Sequence, residues 1–148
     1  LWNYYHRQPR PMRVLEASDT WTYTTATMRQ ANGSAANQLA FVVGVAEVPV
    51  EAWVSAAVSN DSASVSVSVA IGLDSTTAAA TGCIINEIET NVANRIMTTS
   101  ATLRTFPAVG YHTLTWLEIS DATTTTTWRG DRGTPLRSQS GITGTIDG

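Results

Sequence analysis

The chain contains no lysine. Its 9 positive charges are all arginine and stand against 12 acidic residues, for a net charge of −3. Binding to a phosphate backbone needs clustered positive charge, so this balance argues against nucleic acid as a partner. Charged residues of both signs make up 14% of the chain, well under the roughly 25% of an average soluble protein. Cysteine is nearly absent: Cys83 stands alone, which rules out an internal disulfide and a cysteine-based zinc site. His6 and His112 are the whole imidazole supply. No apolar run approaches the about 18 residues that would signal a membrane-spanning helix, so no membrane insertion is expected. The start carries no basic segment leading into an apolar one, as a secretory leader would. None of the motifs below calls for a cofactor or a metal.

In place of charge stand 23 threonines, 13 serines and 19 alanines. A hydroxyl-covered surface suits β-rich extracellular or virion proteins better than cytosolic enzymes. The 148 residues fit one domain large enough to bury a core. Period-two patterns dominate from residue 20 onward. TWTYTTATM alternates Trp21 and Tyr23 with threonines, and LAFVVGV sets Leu39, Phe41, Val43 and Val45 on one face. VEAWVSAAV follows, then SVSVSVAIG, where Val65, Val67, Val69 and Ile71 oppose serines, as in an antiparallel sheet with one wet side. CIINEI, RIMTTSATLRTF, YHTLTWLEI, TTTTTWR and GITGTIDG complete the set, separated by turn signals such as SNDS and DAT. No amphipathic helix of three turns appears. The pattern predicts an all-β fold: an antiparallel β-sandwich, jelly-roll or Greek-key like, of about eight short strands.

The opening stretch LWNYYHRQPRPMR differs from everything after it. Pro9 and Pro11 favour an extended path, and an extended segment cannot bury Trp2, Tyr4 and Tyr5 within itself. Residues 1–19 are therefore expected to be an arm continuing from a preceding module, with Leu1 internal to a longer chain, and 20–148 the sandwich. Trp2, Tyr4 and Tyr5 are expected to pack against the sandwich or a neighbouring subunit, with Arg7, Arg10 and Arg13 pairing to acids or carbonyls there, and these six residues form the predicted subunit contact.

The chain offers few convergent titratable groups. His112 lies on a predicted strand, but no GxSxG nucleophile pattern accompanies it, and a structural histidine beside Trp116 is expected. Glu87 and Glu89, two apart on one strand face, read as a solvated edge, because glycosidase carboxyls oppose each other across a cleft. Asp74 and Asp131 are each the one acid of their loop, too few oxygens for a calcium site. RGD at 129–131 reads as part of a turn. Asn32 in NGS and Asn60 in NDS match the glycosylation sequon, which matters only along a eukaryotic secretory route. Trp21, Tyr23, Trp53 and Trp116 are expected in the core or at an intersubunit face. Trp128, beside Arg129 near a turn, is expected to be exposed, and the two form the candidate ligand contact.

LWNYYHRQPRPMR, WTYTTATMRQANGSAANQ, FVVGVAEVPVEA, IGLDSTT, VGYHTLTWLE, TTWRGDRG and SQSGITG, in this order, resemble a C-terminal domain of structural proteins of tailed bacteriophages, of the tail-fibre-like or minor virion kind. The resemblance spans nearly the whole chain and rests on the ordered set, not on any one motif. It implies a β-rich, trimeric virion component on the particle surface, contacting other virion proteins, with no catalytic residues to carry over. The expected function is a tail-fibre or spike domain involved in host-surface attachment. A capsid decoration or cement protein and a carbohydrate-binding module recognising host-surface glycan are the alternatives. No enzyme activity is expected.

Overall fold

The computed structural model describes residues 7–147 as two antiparallel sheets packed face to face, an all-β sandwich. In chain order the strands are β1 (Pro9–Leu15), β2 (Thr20–Thr22), β3 (Arg29–Gln30), β4 (Gln38–Val43), β5 (Val50–Asn60), β6 (Val65–Leu73), β7 (Ile84–Asn86), β8 (Ile88–Thr90), β9 (Met97–Thr105), β10 (Gly110–Ser120), β11 (Thr126–Arg129) and β12 (Gly141–Asp147). Twelve strands among the described residues replace the expected eight or so. Part of the excess comes from CIINEI, which divides into β7 and β8 because the chain leaves one sheet there and joins the other.

β5 is the spine of the first sheet. On one side it pairs with β9, and β7 lies beyond. On the other side β12 runs along Val50–Ser55 and β11 along Ala57–Asn60, so β11 and β12 act as one long strand interrupted by an excursion of residues 130–140. β1 and β2 flank them in the same broken fashion. In the second sheet β10 pairs with β6, which carries β8, while β4 and β3 share its other side. There the interruption is the segment 31–37, with a 3-10 turn at Ala31–Gly33.

Period-two alternation decides what fills the space between the sheets. Val50, Ala52, Val54 and Ala56 of β5 face Val65, Val67, Val69 and Ile71 of β6, all buried. Three tryptophans close one part of this core. Trp21 and Trp128 are cross-strand partners stacked at 6.5 Å, and Trp116 of the opposite sheet meets Trp21 edge-on at 5.9 Å.

Two expectations are corrected. Residues 9–15 are extended, as their prolines require, but they are an edge strand of the sandwich and not an arm outside it. Glu16 N–H donates to the Ser140 carbonyl, a register that turns the even-numbered amides of β1 toward β12. Positions 9 and 11 then point away from the ladder, where a proline loses no hydrogen bond. The serine side of β6 is not uniformly wet either. Residues 74–82 fold back across it, and a Cβ on Gly72 would lie 2.3 Å from the Ser75 carbonyl oxygen.

Candidate functional site

The candidate ligand contact at Trp128 and Arg129 is overturned for Trp128. Its side chain is 0% exposed, packed between Trp21 and the inner face of β5, and offers no ring face to a ligand. Arg129 is half-buried; its Nη2 donates to Ser59 Oγ at 2.9 Å. Burial and the neighbouring Arg132 lower its pKa. RGD at 129–131 is folded in: a Cβ on Gly130 would meet the Ser18 carbonyl oxygen at 2.3 Å, so only glycine passes there.

Where three strands are interrupted, their excursions meet in a buried polar junction. Glu118 of β10, with no exposed side-chain surface, receives Arg29 through both Nε (2.9 Å) and Nη2 (2.8 Å) on Oε1, and Trp21 Nε1 at 2.6 Å on Oε2. The Asn32 amide also reaches Oε1. The Arg29 guanidinium lies over the Tyr23 ring at 3.8 Å. Burial nevertheless outweighs these partners and raises the Glu118 pKa. Glu16 shows the opposite balance: burial alone would raise its pKa, but Asn37 Nδ2 at 2.6 Å and the Ser18 amide at 2.9 Å hold it down. Both carboxylates are saturated by fixed donors, so the junction ties the sheets together and leaves no open acid or base.

The sequons are used internally. Asn32 Nδ2 donates to Ser18 Oγ, and Asn60, 1% exposed, accepts from Thr126 and donates to Thr90. Cys83 receives the Ile71 amide on its sulfur, and burial raises its pKa, which leaves a poor nucleophile.

His112 does not pack beside Trp116 as expected; its ring lies against Phe41 at 5.8 Å. Nδ1 is 2.7 Å from Asp74 Oδ2 and Nε2 is 2.9 Å from the Ala108 carbonyl oxygen. Both neighbours are acceptors, so both ring nitrogens carry protons and the imidazolium is favoured. A serine-activating base needs one nitrogen free to face the nucleophile, and here that nitrogen is taken by a carbonyl. Asp74 Oδ1 also accepts the Thr113 amide, so the pair clamps the start of the 74–82 segment to β10 and to the β9–β10 turn. The hydrogen bond to Asp74, with that to the Ala108 carbonyl, raises the His112 pKa. For Asp74, burial pushes upward but the bonds from His112 and Thr113 prevail and lower it. The raised histidine contributes stability in full below about pH 6.5 and loses it as pH rises through the folded value; the depressed aspartate loses its part as pH falls below about 4. Urea unfolding should therefore show wild type losing stability as pH rises above about 6.5, with the slope much smaller in His112→Asn. Equal slopes for the two proteins would refute the clamp.

Of the four aromatic residues expected in the core or at an intersubunit face, Trp21 and Trp116 are buried, and Trp53 stands on the outer face of the first sheet. Trp53 of β5 is 43% exposed. In register across the sheet stand Arg13, Thr143, Trp53, Thr102 and Ile84, from β1, β12, β5, β9 and β7. The adjacent row is Pro11, Thr145, Glu51 and Arg104, the last two paired at 3.1 Å. Trp53 forms a ridge between two grooves, one of about 510 Å³ against β1 and β12 and one of about 280 Å³ against β9. The outward direction was legible: Val50, Ala52 and Val54 define the inner parity, and Glu51, Trp53 and Ser55 share the other.

Of the predicted subunit contact, Trp2, Tyr4 and Tyr5 lie outside the described residues. Arg7 reaches Glu47 at 3.7 Å, and Arg10 and Arg13 are exposed on the edge strand. Glu89 lies exposed on the edge strand β8, as its solvated-edge reading expects, and Glu87 on the crossover before it. Among the described residues no three His, Cys, Asp or Glu side chains gather as a metal site. No family model matches the chain, and no curated protein or solved structure is significantly similar to it.

Proposed function

We propose that this chain is a non-catalytic structural domain of a tailed-bacteriophage virion, a tail-fibre or spike module displayed on the particle surface that assembles as a homotrimer. The observation that carries the reading is an apolar end on the sandwich. Val42 and Tyr111 are cross-strand partners on β4 and β10, and Phe106 and Val109 occupy the turn leading into β10; all four are more than half exposed. Exposed apolar groups concentrated in one place mark contact surfaces, and a self-associating virion domain needs one. The ordered sequence resemblance and the charge-poor, hydroxyl-rich surface support the same role.

Light scattering of the purified chain at micromolar concentration should give the mass of a trimer, and Phe106→Ser with Tyr111→Ser should reduce it to monomer. A wild type that is monomeric at that concentration would count decisively against the assembly. Imaging of intact particles labelled with antibody to the chain should place it on the tail. A label confined to the head would replace this reading with that of a capsid decoration or cement protein.

A further inference from the structure

We propose that the Trp53 face is a glycan-binding site for an acidic saccharide, one carrying a uronic or other carboxylated sugar. The site deepens the attachment role proposed above, and rests on that reading only for where the ligand is met. A pyranose ring presents a patch of C–H groups on one face and hydroxyls around its rim. Trp53 supplies the matching flat apolar surface, more than two-fifths exposed, on a rigid central strand hydrogen-bonded on both sides. Thr143 and Thr102 flank it within its own row, and Thr145 stands in the next. Each hydroxyl both donates and accepts, which is what a sugar hydroxyl requires of a partner.

The charge pattern selects the acidic class. Arg104 is held by Glu51 across the strand pair. Arg13, at the end of the Trp53 row, is exposed and has no ion pair among the described residues. Its guanidinium fork suits a carboxylate and has nothing comparable to gain from a neutral sugar. At about 4.8 Å per strand the row from Arg13 to Ile84 spans roughly 19 Å, the length of a short oligosaccharide lying across the strands. The two grooves on either side of Trp53 give such a chain room to continue past the ring.

A second copy of the protein is a poorer occupant. The core of a subunit interface is contiguous, apolar and depleted of charge; here Trp53, with Pro11, Met12 and Ile84 beside it, is broken up by threonines, two arginines and a glutamate. The exposed apolar pair Val42 and Tyr111, on the other sheet, fits self-association better.

Calorimetric titration with oligogalacturonate, hyaluronan tetrasaccharide and sialyllactose, and with neutral cellotetraose as the contrast, tests the site. At least one acidic probe should bind, and cellotetraose should bind tenfold more weakly or not at all. Trp53→Ala should lower the affinity about 30-fold, as for a central aromatic anchor, while keeping the wild-type unfolding midpoint because the ring lies outside the core. Arg13→Gln should cost about tenfold on the acidic probe and leave neutral binding unchanged. No binding to any acidic probe, preference for cellotetraose, or unchanged affinity in Trp53→Ala would each overturn the proposal. Those failures leave the virion role standing, since that role is read from particle labelling and oligomer mass.

Discussion

Trp128→Ala is expected to destabilise the fold by about 3–5 kcal/mol, the range for emptying a buried aromatic site. The cavity would open beneath Trp21, which stacks on Trp128 at 6.5 Å and carries the Trp116 contact, so its walls come from both sheets. Strand backbones paired on either side cannot collapse far into it. For a chain of this length such a loss lowers the melting temperature by on the order of 10 °C. Trp128→Phe should cost much less. It keeps a ring in the site and deletes an indole N–H that has no hydrogen-bond partner, a group expensive to bury. Denaturant titration of the two variants checks the pair of outcomes. A Trp128→Ala protein as stable as wild type would mean the ring is not buried, and the core described above would be wrong.

The second large effect is expected at the polar junction. Arg29→Met should destabilise the protein by about 3 kcal/mol at neutral pH, because it strands a carboxylate with no exposed surface. The figure sits at the low end for a broken buried pair because the Arg29 side chain is itself 36% exposed and water can reach the space it leaves. Burial already raises the Glu118 pKa, and removing the guanidinium raises it further. The sign follows: a carboxyl whose folded pKa lies above its unfolded one takes up a proton on folding, so the variant's deficit shrinks as pH falls and grows as pH rises. Adding Glu118→Gln to Arg29→Met should recover part of the loss, because the amide needs no counter-charge. A deficit identical at about pH 5 and pH 8 would show that Arg29 acts through its packing on Tyr23 and not through the charge.

How far each feature could be read in the sequence depended on contrast between neighbouring positions. SVSVSVAIG alternates apolar with polar residues, so the buried face of β6 is explicit. VEAWVSAAV carries the same contrast, and it places Trp53 outside. TTTTTWR has none: five threonines precede Trp128 without distinguishing one face from the other, so the local pattern does not show that register with Val58 and Trp21 puts the ring inside. Pro9 and Pro11 announced an extended backbone correctly. That this backbone would find β12, more than a hundred residues later, was not written in any local pattern.

Composition and period-two alternation were enough to specify an all-β sandwich, since each strand must bury one face and wet the other, and this is a local property of every segment. Few charges and a lone cysteine likewise set the kind of surface the protein shows. The sites depend on pairings across the fold. Asp74 meets His112 over 38 positions, Trp21 meets Glu118 over 97, and the Arg13–Thr143–Trp53–Thr102 row draws on four strands. Such juxtapositions follow from strand order and register, which are settled by the packing of the whole core and by where β1, β3 and β11 are interrupted. No window of neighbouring residues carries that information, and the face bearing Trp53 is assembled from strands far apart in the sequence.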